Sequence, residues 1–149
     1  MNTEAVKIKQ IKFEETYPIR QIVLRPNRAL ETCFFQGDGL ETTVHFGLFY
    51  KNELAGIISL FENSNPFFLD ENQYQIRGMA VLPEYQKFGF GKKLVEHSEV
   101  FLSNQKTNVI WFNAREVAVG FYTKQGYNLK GNAFDIPDVG VHYIMYKSL

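Results

Sequence analysis

A short glycine-containing segment, Q-K-F-G-F-G at Gln86–Gly91, constrains this chain most strongly. It follows a strand-like run that ends at Val81 and directly precedes a helix-like run that carries Leu94, Val95, Phe101 and Leu102. The start of a helix presents unpaired backbone N–H groups and a partial positive charge, and glycines there let an anion approach the main chain. With two lysines after it, the segment suits a pyrophosphate, although a tight strand-to-helix turn would use the same glycines.

Two familiar phosphate-binding loops do not fit this segment. A P-loop requires G-x-x-x-x-G-K-[ST], but Lys92 is followed by Lys93, and no glycine lies five positions before Gly91. A dinucleotide-binding fold requires G-x-G-x-x-G after its first strand, a pattern that is also missing here. The elements around the segment therefore have to identify the kind of loop.

Length and composition favour one globular domain over residues 1–149. Apolar residues make up 45% of the chain and aromatic residues 15%, which predicts an aromatic-rich core. Sixteen Lys and Arg balance sixteen Asp and Glu, so no overall field attracts nucleic acid or an anionic membrane. We therefore expect neither nucleic-acid nor membrane partners.

Cysteine usage and the first residues indicate a cytoplasmic protein. The one cysteine, Cys33, excludes an intrachain disulfide, and residues 1–4 have no apolar core of the kind that a signal peptide needs. No apolar run approaches the ~20 residues that span a bilayer. Nothing in the sequence pairs Cys33 with a base, so we expect a small buried hydrophobe there. No His, Cys and Asp cluster has metal-ligand spacing, so we predict no metal.

The hydrophobic pattern predicts an α/β (α+β) fold with the order β-α-β-β-β-α-β-α-β-β, a mixed sheet flanked by helices. Strands are expected at about 6–13, 44–50, 54–61, 74–81, 108–113, 127–130 and 141–146. Helices are expected at about 18–24, from the glycine segment to about 103, and from about 117 to Gly126. The first helix should bury Ile19, Ile22 and Val23 on one face. Residues 25–43 and 131–140 are predicted to be loops, and the first is long enough to line a substrate site.

Three blocks of sequence resemble signatures of the GNAT acetyltransferase superfamily. Gln86, Gly89 and Gly91 match its acyl-CoA loop, Q/R-x-x-G-x-G/A, and the preceding V-L-P-E-Y is similar to its V-x-P approach to that loop. F-Y-T-K-Q-G-Y at 121–127 is similar to its F/L-Y-x-K-x-G-F signature. The order and spacing of the blocks agree with the family, which implies a GNAT-like, mostly antiparallel central sheet. Residues 22–60 and the C-terminal F-D-I-P-D-V-G-V-H-Y-I-M also look like an uncharacterised bacterial subgroup.

The resemblance implies that acetyl-CoA is the co-substrate and indicates which residues hold it. Backbone groups of Met79, Ala80 and Val81 would bind the pantetheine arm as an added strand. Amides of the loop would bind the pyrophosphate, and a lysine beside them would add charge. The loop residues concerned are Gln86, Lys87, Phe88, Gly89, Phe90, Gly91 and Lys92.

One position departs from the family. Members commonly carry an Asn seven residues before their signature tyrosine, where it contacts the pantetheine, but here that position is Arg115 and Asn113 lies two residues earlier. The contact could be made by Asn113, by Arg115 or by neither. Arg115 could also be a plain surface residue at a helix start, where its charge is unfavourable.

The resemblance also implies direct attack of a neutral primary amine on the thioester, with departure of the CoA thiolate. Tyr122 matches the tyrosine that often protonates that thiolate. A phenol with a reference pKa near ~10 can donate to a thiolate whose conjugate acid is near ~8.5. A tyrosine beside Phe121 on an apolar helix face can equally be a core residue with a satisfied hydroxyl.

A base or a water chain has to deprotonate the amine, whose reference pKa is near ~10.4. His142, His45 and Glu84 are candidates, although such residues are more often structural or solvated. We favour His142, because a side chain of the last strand can reach the acceptor side in this fold.

The sequence does not identify the acceptor, which could be a small-molecule amine, a peptide N-terminus or a lysine. Arg25 is a candidate acceptor-site residue by location, with a solvated loop arginine as the alternative. A non-catalytic acyl-CoA-binding or sensing domain on the same fold is the competing interpretation. Both a monomer and a homodimer are compatible with the sequence.

Overall fold

The computed structural model of this protein describes residues 5–149; residues 1–4, on which the expectation about a signal peptide rests, lie outside the described part. The strands are β1 (Val6–Gln10), β2 (Val44–Tyr50), β3 (Glu53–Glu62), β4 (Gln73–Val81), β5 (Val109–Arg115), β6 (Asn128–Ile136) and β7 (Gly140–Ser148). The α-helices are α1 (Tyr17–Ile19), α2 (Phe90–Asn104) and α3 (Val119–Thr123), and α1 continues as a π-helical segment, Arg20–Leu24. The predicted order of strands and helices is confirmed.

The seven strands have the order β1-β2-β3-β4-β5-β7-β6. The pairs β1–β2, β2–β3, β5–β7 and β6–β7 are antiparallel, and β4 pairs with β5 in parallel. The predicted fold class, a mixed and mostly antiparallel sheet with flanking helices, is confirmed. The parallel ladder between β4 and β5 covers three positions, from Gln73↔Val109 to Gln75↔Trp111. By its contacts the chain divides into two compact units, residues 1–62 with 76–101 and residues 63–75 with 102–149.

The first unit is built on the β2–β3 hairpin. Lys51 and Asn52 form its two-residue turn, with φ values of 51° and 68°. This left-handed pair is the backbone that a tight hairpin needs. Helix α2 contributes Leu94 and Val95 to the core, both fully buried, and the Phe46 ring of β2 packs edge to face on Phe101 at 5.2 Å.

The first helix buries only part of the predicted face, in which Val23 packs, partly buried, against the core cluster that contains Ile19. Ile19 is buried, but Ile22 is 55% exposed and Arg20 is fully buried. The cause is the π-helical segment, in which a hydrogen bond from the N–H of Arg25 to the carbonyl of Arg20 widens the turn. The wider turn shifts every later side chain around the axis relative to an α-helix.

In the second unit, the predicted loop at 131–140 is wrong. Strand β6 continues to Ile136, and the connection to β7 occupies only residues 137–139. Strand β6 is the last strand of the sheet and mostly exposed, so its side chains need no apolar alternation. Gly131, with φ +76°, lies at an irregularity in the β6–β7 register that further obscures the pattern.

Smaller differences concern the bounds of other elements. The first strand ends at Gln10, and Phe13–Thr16 forms a 3₁₀ turn. Strand β5 extends to Arg115, which directly precedes a 3₁₀ turn at Glu116–Ala118. The segment 25–43 is irregular as expected, apart from a 3₁₀ turn at Leu30–Cys33. No helix in the described range, 5–149, is both long enough and apolar enough to cross a membrane.

Candidate active site

The start of helix α2 forms an open backbone cradle. Gly89 precedes the helix with φ +76°, a conformation that favours glycine, and its carbonyl accepts the N–H of Lys93 at 3.2 Å. The N–H groups of Phe90, Gly91 and Lys92 come before the first intrahelical bond, so the helix itself offers them no acceptor. A Cβ atom built on Gly89 would have no heavy atom within 4 Å. An anion can therefore reach these amides directly.

The side chains of the loop divide into anchors and exposed groups. Phe90 is buried against Tyr50, with ring centroids 5.5 Å apart, so it can offer a ligand only its backbone. Gln86 donates from Nε2 to the carbonyl of Val81 at 3.0 Å, which ties the loop to the end of β4. Lys87 and Lys92 are exposed, as is Phe88. Each lysine can therefore turn towards a phosphate.

Strand β4 offers a free edge in the first unit. There β4 is the outermost strand over residues 76–81, because its ladder with β5 is confined to residues 73–75. An edge strand presents unpaired N–H and C=O groups to which an extended ligand can add as a further strand. The side chains of Ala80 and Val81 are buried and that of Met79 is half-buried, which anchors the strand.

Tyr122 lies in an aromatic cluster of the second unit. Its ring is 6% exposed and lies 4.2 Å from the ring of Phe112 and 5.9 Å from that of Tyr127. Burial raises the pKa of the Tyr122 phenol above its ordinary value, so the group stays protonated at neutral pH. The ring is thus a core residue whose hydroxyl holds its proton at neutral pH, and the raised pKa makes it a weaker acid than a phenol in water.

His142 is buried on β7, where its Nδ1 lies 2.8 Å from the carbonyl oxygen of Gly140. Since a carbonyl can only accept, Nδ1 carries the proton and Nε2 is the basic nitrogen. Arg115 of β5 is the direct register partner of His142, and Asn113 faces Ile144. Asn113 and Arg115 are both exposed, two positions apart on one face of β5, so the fold leaves both available for the contact that the family makes with Asn.

The other two candidate bases are placed differently. His45 is buried, and its ring is held at both nitrogens: Nε2 donates to the carbonyl of Asp38 at 2.9 Å, and Nδ1 accepts from the Ser59 hydroxyl at 2.7 Å. This arrangement makes His45 a structural residue. Glu84 is exposed in the 3₁₀ turn Pro83–Phe88.

A buried ionic network in the first unit was not predicted from the sequence. The guanidinium of Arg20 donates to both carboxylate oxygens of Asp38, at 2.7 and 3.0 Å, and also to the Cys33 carbonyl and the Ser59 hydroxyl. Cys33 itself is fully buried, as expected. The network holds the irregular segment 25–43 to helix α1 and strand β3. In the sequence, Asp38 is marked only by the glycines on both sides of it in G-D-G at 37–39, and nothing there indicates Arg20 as its partner.

Gly78 lets this network approach strand β4. It has φ +65°, and a Cβ atom there would lie 3.0 Å from the Phe35 ring and 3.4 Å from Nε of Arg20. Any side chain at this position would displace Phe35 or strain the backbone. The glycine therefore serves the packing of segment 25–43 on the sheet.

Burial lowers the pKa of His45 below its ordinary value, despite the opposing effect of Asp38. Because the folded state disfavours the proton, the unfolded state binds more protons as the pH falls below about 6.5, and stability is lost there. We expect the urea midpoint of unfolding to be lower at pH 5.5 than at pH 7.5. His45→Gln keeps a donor but cannot titrate, so this variant should show a smaller pH difference; an equal difference would contradict the assignment.

Comparisons with known proteins identify the family. The family model described as the acetyltransferase (GNAT) family matches residues 7–127. The uncharacterized N-acetyltransferase YitI of Bacillus subtilis is 38% identical over 144 residues, covering 97% of each chain. The match to the family model and this identity together show the family.

Solved structures share the fold at low sequence identity. The ribosomal-protein-S18-alanine N-acetyltransferase of Escherichia coli superposes with a TM-score of 0.74 at 20% identity, covering 96% of this chain and 93% of that one. An aminoglycoside 6'-N-acetyltransferase complexed with coenzyme A superposes with a TM-score of 0.75 at 13% identity, covering 95% and 96%. The chain belongs to the acetyltransferase (GNAT) family and is an N-acetyltransferase.

Proposed function

We propose that residues 1–149 form a single domain that transfers an acetyl group from acetyl-CoA to a primary amine in the cytoplasm. The observation that supports the cofactor most is the cradle at the start of α2. Three backbone amides without intrahelical acceptors lie behind an open Gly89. The partial positive charge of a 15-residue helix adds to the attraction for a pyrophosphate.

The residues on both sides of the cradle extend this interaction. The edge of β4 at Met79, Ala80 and Val81 offers backbone partners for the pantetheine arm. Lys87 and Lys92 add positive charge; the contact of Lys92 with Glu96, 3.8 Å between exposed groups, is too weak to hold it away. Asn113 is the second-unit residue that we assign to the pantetheine, with Arg115 as the alternative.

Acetyl-CoA, when bound, supplies an activated acetyl thioester. In this proposal Tyr122 donates its phenolic proton to the departing sulfur, and His142 Nε2 accepts the proton of the acceptor amine. Both assignments use the protonation states derived above: a phenol that burial keeps protonated and an imidazole whose Nδ1 proton is engaged by Gly140. The acceptor is a small-molecule or peptide amine.

Backbone hydrogen exchange tests the assigned cofactor contacts. Saturation with CoA is expected to slow exchange at Phe90, Gly91 and Lys92 and along residues 79–81, because these amides gain acceptors on the ligand. The measurement is exchange detected by NMR or mass spectrometry with and without CoA. The amides of β6 near Gly131, which the proposal does not use, provide the internal control.

Two results would separate the parts of this proposal. Protection at the start of α2 without protection along β4 would leave the phosphate contacts in place and remove the strand-like pantetheine contact. Unchanged exchange in both segments at a CoA concentration that saturates the protein would contradict the assigned site.

A further inference from the structure

Arg77 of strand β4 holds a half-buried guanidinium between aromatic rings. Its Cζ atom lies 4.7 Å from the centroid of Phe35 and 5.3 Å from that of Phe61. Contacts with ring faces use the flat surface of a guanidinium and leave its N–H groups free to donate in the plane. Arg77 takes no part in the ion pairs that Arg20 and His45 form with Asp38 and that Lys92 forms with Glu96.

The nearby carboxylate is already committed. Asp38 accepts two hydrogen bonds from Arg20 and a third from the backbone N–H of Phe35, at 2.9 Å. Arg20 also contacts the Phe35 ring, with Cζ 3.9 Å from its centroid. Arg20 alone therefore neutralises the negative charge of Asp38.

Arg25 directly follows the π-helical segment, where its N–H donates to the carbonyl of Arg20 at 3.0 Å, so its side chain starts one helical turn from that of Arg20. Burial lowers the pKa of Arg77, and repulsion from Arg20 and Arg25 lowers it further, with Asp38 acting in the opposite direction. Arginine nevertheless stays protonated in proteins. Among residues 5–149, neither Arg77 on β4 nor Arg25 at the end of the π-helical segment forms an ion pair with a carboxylate.

The position of Arg77 separates it from the phosphate-binding cradle. Val81, the end of β4, lies four residues after Arg77, at most about 13 Å along the strand, and the cradle amides follow beyond another turn. Arg77 lies two residues before Met79, which is the end farther from the cradle in the segment 79–81 that we assign to the pantetheine arm. A ligand group at Arg77 would therefore belong to the acceptor and not to the phosphates of CoA.

We infer that the acceptor amine carries an oxyanion group, a carboxylate or a phosphate, which binds to Arg77 and Arg25. A planar fork of N–H donors matches the paired oxygens of such a group, and partial burial strengthens the interaction. This inference rests on the proposed function. It narrows the acceptor to amino acids and other amines that carry a carboxylate or a phosphate. Arg77 fixes the orientation of the acceptor, and Phe35 and Phe61 hold Arg77 in place.

A binding experiment tests the site without turnover. In protein that carries ¹⁵N-labelled arginine and is saturated with CoA, the Nε–H signals are assigned with Arg77→Gln and Arg25→Gln and followed during titration with succinate or inorganic phosphate. Saturable shifts of the Arg77 and Arg25 signals are expected, beyond those caused by sodium chloride at equal ionic strength. The signal of Arg28, an exposed arginine of the same segment, serves as the control.

A kinetic experiment tests specificity with matched amines. Thiol release is compared for 5-aminopentanoate against pentylamine and for O-phosphoethanolamine against ethanolamine. The oxyanion-bearing member of a reacting pair is expected to have a kcat/KM at least about tenfold higher. Arg77→Gln should remove most of this ratio, Arg77→Lys should restore part of it, and Arg28→Gln should leave it unchanged.

The outcomes distinguish this inference from the proposed function. The inference would be overturned, and the proposed function kept, if the protein binds CoA but neither anion shifts the Arg77 and Arg25 signals. A preference for the neutral amines would have the same meaning. Failure to bind CoA would overturn the proposed function, whatever the anions do. If none of the four amines reacts, the anion titration decides.

Discussion

Replacement of Tyr122 by Phe is expected to lower kcat about a hundredfold or more, the contribution typical of a proton donor in an acyl transfer. The affinity for CoA should change little. The variant loses only the hydroxyl, while its ring keeps the contacts with Phe112 and Tyr127 that bury it. Turnover is measured as thiol release at saturating amine, and CoA affinity by calorimetry on the same preparation.

A matched control separates chemistry from packing. Tyr127→Phe removes a hydroxyl from a buried tyrosine in the same aromatic cluster, so it reports what such a deletion does without loss of the proposed acid. Its kcat should stay within a fewfold of the unmodified protein. A Tyr122→Phe variant with undiminished kcat would remove Tyr122 from the mechanism and leave it as a core residue.

The parts of the fold set by local chemistry were predictable from the sequence. Lys51 and Asn52 form the turn between the strands predicted at 44–50 and 54–61, and Gly126, with φ +94°, ends the helical region as predicted. Helix α2 and its glycine loop lie within one or two residues of the expected bounds. In each case a residue with a distinct backbone preference marks the boundary.

Tertiary context decided the parts that were missed. Strand β6 has no apolar alternation because it lies at the edge of the sheet and pairs only with β7, so its polar residues resemble a loop. The burial of Arg20 depends on Asp38, eighteen residues away, and on a π-helical turn that no local pattern announces. Long-range ion pairs and helix irregularities leave no periodic trace in a single sequence.

The candidate site was only partly predictable, because some of its features are local in sequence and others depend on long-range packing. The cradle at Gly89 follows from glycine spacing at a helix start, and the family signature indicated Tyr122. The pair Arg77 and Phe35 could not be found, since a strand arginine and a loop phenylalanine become neighbours only through the packing that Gly78 permits. The structure likewise showed that both ring nitrogens of His45 are occupied, which its residue type could not show.

Calorimetric titration of a Gly89→Glu variant shows whether acetyl-CoA binds at the start of helix α2. A glutamate there would fill the open space above Gly89 and place a negative charge where the pyrophosphate binds. Loss of about two charge-assisted hydrogen bonds corresponds to at least about a hundredfold weaker binding. Gly131→Glu is the matched control, because Gly131 has the same φ of +76° and equally open space in β6.

We expect acetyl-CoA and CoA to bind the unmodified protein and the Gly131→Glu variant with similar affinity. The Gly89→Glu variant should lose this binding, although its circular dichroism spectrum shows that it is folded. Equal affinity in all three proteins would place the cofactor elsewhere. No binding to the folded, unmodified protein would mean that the glycine segment is only a turn, and the proposed function would be contradicted.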